Sequence, residues 1–129
     1  MNLRNVLIAL SVATSCYTQL AAASEGDPSS GANVFSAQCS ICHSVKEGKN
    51  KIGPSLAGIV GRPAGSVPTF AYSDAMKNSG VKWSKETLDS YLSNPRAMIP
   101  GIKMPYQGLP DDKLRLDLIA YLSTQSANH

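Results

Sequence analysis

Two cysteines separated by two residues, with a histidine directly after the second, stand at Cys39, Cys42 and His43. This spacing is the signature of covalent attachment of a c-type haem. Each thiol adds across one haem vinyl group to form a thioether, and the histidine offers a neutral imidazole nitrogen to the iron. The pattern therefore predicts a chain that folds around one haem c, held covalently through Cys39 and Cys42, with His43 as an iron ligand.

Three other interpretations of the cysteine pair stay open at this point. A thioredoxin-like redox dithiol belongs near a βαβ pattern, and the sequence shows none. A zinc site needs four ligands, but the third cysteine, Cys16, lies close to the N-terminus and the second histidine, His129, is the last residue. A simple disulfide is the third possibility.

The first 23 residues have the three parts of a secretory signal peptide. Arg4 supplies the positive charge, residues 6–13 form a short apolar run, and Ala21-Ala22-Ala23 offers an Ala-x-Ala cleavage site. The apolar run is far shorter than the ~20 residues that span a bilayer. We therefore predict a cleaved signal peptide at residues 1–23 and one periplasmic domain at residues 24–129, without a stable membrane anchor.

Two other fates of the leader are weaker alternatives. A lipid-modified Cys16 would lack the usual apolar residue three positions upstream, where Ala13 stands. A mitochondrial transit peptide would be rich in arginine and amphipathic, which this leader is not. Loss of Arg4 lowers the net charge from +3 to +2, and a charge this small argues against a nucleic-acid binder.

Helix signals occur at four places after the leader. Asp27, followed by Pro28, predicts the start of a first helix that runs toward the cysteine pair. Ser84 opens a second helix, which Asn94-Pro95 ends. Pro110-Asp111-Asp112 opens the last helix, and a short helix is expected between Ser73 and Asn78. The apolar stripe expected on the last helix, at i, i+4, i+7 and i+8 spacing, consists of Leu114, Leu118, Tyr121 and Leu122.

Long segments rich in glycine and proline, at residues 48–68 and 94–110, separate the predicted helices. Loops of this length are unusual in a compact domain, and a small domain buries too little surface to hold them. A large apolar prosthetic group would supply the missing core. Because no run with strand periodicity is present, the sequence predicts an all-α fold whose long loops wrap around one haem.

Many short segments follow one another in a characteristic order. They include Gly31 to Phe35, Cys39 to His43, Gly53-Pro54, Phe70 to Ala75, Gly80 to Trp83, Tyr91 to Met104 and Asp117 to Leu122. In these segments the chain resembles the class I c-type cytochromes, the group of mitochondrial cytochrome c and bacterial cytochrome c2, over residues 25–125. The resemblance implies the cytochrome c fold, in which the N-terminal and C-terminal helices cross.

The resemblance implies how the helices pack and how the iron is held. It places Gly31 and Phe35 against Leu118 and Tyr121. It selects Met104 as the second iron ligand, while Met98 remains the fallback. It makes the carbonyl of Pro54 the acceptor for the other ring N–H of His43.

Four further residues have implied roles around the haem. Arg62, Tyr72 and Trp83 resemble the residues that hold the haem propionates in the family. Tyr91 resembles a tyrosine near the methionine sulfur.

Several positions depart from the family pattern. Ile102 replaces a common threonine and Met76 a common asparagine, which predicts a drier haem edge and a shifted potential. Fewer basic residues surround the expected haem edge than in mitochondrial relatives. The positions concerned are the uncharged Gln38, Ala97 and Gln107, with Lys103 and Arg96 as the remaining cations.

Closed coordination by His43 and Met104 disfavours chemistry at the iron. The sequence therefore predicts a monomeric electron carrier of a respiratory chain, and no enzyme. Its donors and acceptors would be redox proteins that dock transiently through charge-steered contacts. Two alternatives are the electron-accepting subunit of a dehydrogenase and a weak haem peroxidase that acts after Met104 detaches.

Overall fold

The computed structural model describes residues 25–125, and this part of the chain is all-α, as predicted. Between these residues no strand forms, and a single bridge pairs Pro63 with Lys82. The predicted signal peptide and cleavage site lie outside the described residues, as do Cys16 and His129. The five helices are α1 (Pro28–Gln38), α2 (Asp74–Lys77), α3 (Lys85–Ser93), α4 (Pro95–Met98) and α5 (Asp112–Thr124).

The first helix begins where its capping residue predicts. The Asp27 carboxylate accepts hydrogen bonds from the N–H groups of Ser29 and Ser30, at 3.0 and 3.2 Å. These bonds satisfy N–H groups that have no partner inside the helix.

None of the helices between residues 25 and 125 has the length and apolar character to cross a membrane.

The other predicted helices also start at their capping residues. Ser84 and Thr87 form a reciprocal capping box at the start of α3, with N–H to hydroxyl distances of 2.8 and 3.2 Å. Asp111 caps α5 by accepting from the Leu114 N–H at 2.9 Å. Ser73 caps α2, the short helix expected in this region.

One helix was missed by the sequence prediction. Asn94-Pro95 ends α3 as expected, but Pro95 also begins α4, because its fixed φ suits the first position of a helix. The Asn94 side chain caps this helix by accepting from the Ala97 N–H at 3.2 Å. Met98, which the sequence places in a loop, is therefore the last residue of a short helix.

The core of the fold is the contact between α1 and α5, the most extensive contact between any two of these helices. Gly31 allows the backbones to approach, since a Cβ atom there would lie 2.7 Å from Cβ of Tyr121 and would also meet the Asp117 carbonyl. The rings of Phe35 and Tyr121 pack with their centroids 5.5 Å apart. Leu118, which is 1% exposed, lies in the same cluster.

The apolar stripe predicted for α5 is wrong at its N-terminal end. Leu114 is 38% exposed, whereas Asp117, which is 2% exposed, faces the helix contact. The burial of this carboxylate is compensated by two donors: the Asp27 N–H at 2.8 Å and the Lys113 ammonium at 2.7 Å. A buried polar group is tolerated when it is paired in this way.

A second buried charge, on Arg115, connects α5 to α3 and to the segment before α5. Its guanidinium donates to the carboxylates of Asp89 and Asp112, at 2.8 and 2.6 Å, and to the Leu109 carbonyl at 2.8 Å. Because Asp89 lies on α3 and Leu109 precedes α5, this one side chain joins three parts of the chain.

We expect Asp117 to make the fold sensitive to acid. The Lys113 ammonium, and then the Asp27 N–H, hold the pKa of this carboxyl below its usual value. Its stabilising contribution is therefore present above about pH 4, the pKa of an unfolded aspartate, and is lost as the pH falls through the lower pKa of the folded state. In Asp117→Asn, the free energy of unfolding should therefore fall less as the pH is lowered below about 4 than it does in the wild type. The measurement is the free energy of unfolding as a function of pH. The control is Glu47→Gln, which changes an exposed carboxylate; equal curves for both variants would contradict the prediction.

Candidate functional site

A cavity of about 650 Å³ lies at the centre of the described fold, between the C-terminal end of α1, helices α3 and α5, and the long loops. Its size is that of a pocket for a large organic ligand. Met98, the fallback iron ligand, is not among the residues around it. All nine residues predicted for the site line it, namely Cys39, Cys42, His43, Pro54, Arg62, Tyr72, Trp83, Tyr91 and Met104.

The cysteine pair follows α1 in a tight turn. The N–H groups of Cys42 and His43 both donate to the Cys39 carbonyl, at 3.0 and 2.8 Å. This turn brings all three side chains to one wall of the cavity. Burial, and then the nearby Cys42 thiol, raise the pKa of Cys39 to about 11.

The other uses of the cysteine pair gain no support from this part of the chain. A redox-active dithiol has a lowered thiol pKa, whereas that of Cys39 is raised. Cys39 and Cys42 are free thiols in the structure, and not a disulfide. Among residues 25–125, no group of three or more histidine, cysteine or acidic side chains is placed to hold a metal ion.

The His43 ring is held in one orientation and one protonation state. Its Nδ1 lies 2.8 Å from the Pro54 carbonyl oxygen. Because a carbonyl can only accept, Nδ1 must carry the proton, and Nε2 is left with a free lone pair. Burial lowers the pKa of His43, which keeps the ring neutral. A neutral imidazole with a fixed tautomer is what iron ligation requires.

Gly53 makes room for this ring. A Cβ atom at Gly53 would lie 2.7 Å from Nδ1 of His43 and would also meet Cε1. Any other residue would therefore push the imidazole away from the Pro54 carbonyl. The sequence carries no signal for this role beyond the position of Gly53 before Pro54, because the two segments meet only in the fold.

Arg62 presents a partly buried cation at the cavity. Two of its nitrogens donate to the carbonyls of Ala57 and Ser55, at 2.9 and 3.0 Å, while its Nε is buried without a partner. Burial lowers the pKa of this guanidinium. A buried charge with a free donor calls for an anionic acceptor, and a haem propionate meets that need.

Aromatic side chains complete the apolar wall. The rings of Trp83 and Tyr91 pack with centroids 4.9 Å apart, and burial raises the pKa of Tyr91 to about 12, so that its hydroxyl stays protonated. The Tyr72 hydroxyl accepts from the Val67 N–H at 3.2 Å. These contacts fix the positions of the three aromatic side chains along the wall of the cavity.

The positions compared with the family pattern, both the departures and the two remaining cations, divide into two groups. Those in contact with the cavity are Gln38, Met76, Ile102 and Lys103. Arg96, Ala97 and Gln107 do not line it. Of the two cations expected near the haem edge, Lys103 lines the cavity and Arg96 does not.

The residues of the cavity fit a haem c. The two thiols can form thioethers, and His43 and Met104 offer neutral nitrogen and sulfur donors. Arg62 offers an unpaired donor to a propionate, and the remaining walls are mainly apolar. Each of these features matches one chemical part of the group that the cysteine spacing predicts.

Comparisons with known proteins agree with this chemistry. The cytochrome c family model matches residues 29–126. Cytochrome c of Stellaria longipes is 52% identical over 99 residues, which cover 76% of this chain and 92% of that protein. Cytochrome c2 of Rhodomicrobium vannielii is 52% identical over 101 residues, covering 78% of this chain and 80% of that protein.

A solved structure shows the same fold. The structure of cytochrome cH from Methylobacterium extorquens superposes with a TM-score of 0.72 at 42% sequence identity, covering 77% of this chain and 99% of that one. The region matched by the family model includes every residue that lines the cavity. The chain therefore belongs to the cytochrome c family of electron carriers, which bind haem c covalently through cysteines.

Proposed function

We propose that this protein is a soluble periplasmic carrier of single electrons, in which His43 and Met104 would hold the iron of haem c. Haem c, when bound, supplies a centre that takes up and gives back one electron. Support for the ligand pair comes from the cavity, which both residues line and Met98 does not. Thioether sulfur is a soft, neutral donor that raises the reduction potential of haem iron.

The observation that carries this proposal is the hydrogen bond between Nδ1 of His43 and the Pro54 carbonyl, at 2.8 Å. It directs the unprotonated nitrogen away from the backbone and prevents the ring from turning. The apolar walls exclude water, so the charge of the site can change with little rearrangement of the surroundings. Such a site favours electron transfer over chemistry on a bound substrate.

A reduced-minus-oxidised spectrum combined with a redox titration tests the proposal. We expect a low-spin c-type spectrum in both states and a single one-electron transition. A high-spin native spectrum, or rapid turnover of peroxide by the untreated protein, would instead favour the peroxidase alternative. Co-purification with one dehydrogenase at a fixed ratio would favour the subunit alternative.

The periplasmic location rests on the leader sequence and is part of the proposal. We propose that cleavage follows Ala23, which leaves 106 residues. N-terminal sequencing of the exported protein provides the test, and a mature chain that still begins before Arg4 would rule the cleavage out.

Transient docking of redox proteins is proposed to occur at the mouth of the cavity. Lys103 is exposed and lines the cavity, so that a cation lies beside the route by which electrons would leave. Because this charge is proposed to steer the partner, we expect the association rate to fall as the salt concentration rises.

Arg62 is expected to support both the potential and the stability of the loaded protein. Arg62→Met removes two hydrogen bonds to carbonyls, which should cost about 2–3 kcal/mol of unfolding free energy. It also removes a partly buried cation that opposes the oxidised state, so the potential should fall by on the order of tens of millivolts. Redox titration and thermal unfolding provide the measurements.

Two further variants make this test specific. Arg62→Lys keeps the positive charge but loses the planar set of N–H donors. It should therefore retain more of the wild-type potential than of the wild-type stability. Arg96→Met removes an exposed arginine that does not line the cavity. A potential that falls as far in Arg96→Met as in Arg62→Met would contradict the role of Arg62.

A further inference from the structure

The segment that carries Met104 is held by very few hydrogen bonds. It runs from Pro100 to Gly108, between two backbone anchors: the Ile99 N–H donates to the Pro95 carbonyl at 3.0 Å, and the Leu109 N–H donates to the Leu92 carbonyl at 2.8 Å. Within the described part of the chain, residues 100–108 make one hydrogen bond, from the Tyr106 hydroxyl to Oε1 of Gln38, at 2.5 Å. None of these residues is buried.

This hydrogen bond joins two sides of the cavity. Gln38 is the last residue of α1 and directly precedes Cys39, while Tyr106 lies two residues after Met104. Both side chains line the cavity, although they are 68 residues apart in sequence. The bond therefore connects the segment of the proposed methionine ligand to the helix end from which the attachment cysteines follow.

We propose that the Tyr106–Gln38 hydrogen bond is a latch that keeps the Met104 segment closed over the cavity. Tyr106 and Gln38 are thus positioning residues, which act on the iron through Met104. The latch governs how often Met104 leaves the iron, and this consequence rests on the proposed His43 and Met104 ligation.

The distribution of contacts along the segment explains why one bond matters. Its ends are fixed by packing, since a Cβ atom at Gly101 would lie 3.3 Å from Cβ of Ala75 and one at Gly108 would meet the Ser93 carbonyl. Exposed segments with few hydrogen bonds open locally, without unfolding the rest of the domain. Tyr106 lies between the fixed ends and near Met104, where a single bond can bias that opening.

The predicted size of the effect is modest and measurable. A hydrogen bond to an exposed partner competes with water, so its loss should raise the open population about three- to tenfold. Tyr106→Phe removes only the hydroxyl and keeps the ring in place. Gln38→Met removes the acceptor and keeps the length of the side chain and its preference for a helix.

Two measurements on the haem-loaded protein test the latch. The first is the rate at which imidazole binds to the oxidised protein, because Met104 must leave before imidazole enters. The second is the rate of trypsin cleavage after Lys103, which reports the open population without reference to the iron. Both rates should rise about three- to tenfold in each variant, and the double variant should rise no further than either single one.

The outcomes separate this inference from the ligation on which it rests. Trypsin rates at the wild-type level in both variants, or effects that add in the double variant, would overturn the latch. A faster cleavage with unchanged imidazole binding would show that Met104 is not the ligand. The control is Gln107→Met, the same substitution in the same segment but away from the latch, and it should leave both rates unchanged.

Discussion

Met104→Ala is expected to leave haem c attached to the protein while lowering its reduction potential sharply. This substitution removes the proposed sulfur ligand, and a neutral sulfur donor favours reduced iron. We expect a fall on the order of 0.2 V, within the roughly 0.8 V that axial ligands span among haem proteins. Reduced Met104→Ala should also bind carbon monoxide, since one coordination position becomes open. Redox titration and difference spectra with carbon monoxide measure the two effects.

Matched methionine variants show whether the effect belongs to Met104. Met98→Leu changes a methionine outside the cavity and should leave the potential and the carbon monoxide spectrum unchanged. Met76 also lines the cavity, so Met76→Leu is the stricter control. We expect Met76→Leu to shift the potential slightly and to bind no carbon monoxide. If Met76→Leu binds carbon monoxide and Met104→Ala does not, the ligand assignment is reversed.

Replacing both cysteines of the motif with alanine is expected to abolish covalent haem binding and, with it, the fold. A cavity of about 650 Å³ in the centre of the domain would then have to stay empty or fill with water. At ~24 cal/mol per Å³, an empty cavity of this size would cost on the order of 15 kcal/mol. That cost matches or exceeds the whole stability of a typical domain, about 5–15 kcal/mol.

Haem staining on a denaturing gel and circular dichroism measure the two parts of this prediction. The Cys39→Ala, Cys42→Ala variant should show no covalent haem and little of the helicity of the loaded protein. Cys16→Ser is the matched control, because Cys16 lies in the predicted signal peptide and should not affect either signal. A colourless double variant that unfolds in a sharp thermal transition with native helicity would show that the chain does not need haem as its core.

Local chemistry made most of the helix starts predictable from the sequence. Asp27, Ser84 and Asp111 each cap the helix that they were expected to begin, because capping depends only on residues within one turn. Proline was less informative. Pro95 both ends α3 and begins α4, and a sequence pattern alone does not distinguish these two roles.

The residues around the cavity were predictable for a different reason. The cysteine spacing identified the group, and the family resemblance then selected six further site residues, all of which line the cavity. What the sequence did not reveal are contacts between distant segments: Gly53 beneath the His43 ring, Asp117 against Asp27, and Tyr106 against Gln38. Such contacts have no local pattern, because the sequence around one residue does not indicate which distant residue it will contact.

The pairing of α1 with α5 limits when this chain can begin to fold. Asp27 and Asp117 are 90 residues apart, so α1 meets its partner only after the chain has been made beyond residue 117. Contacts of such long range form slowly, because a large loop must close first. If the chain is exported as proposed, it is expected to stay unfolded during translocation. The reason is that α1 leaves the channel before α5, the helix against which it packs.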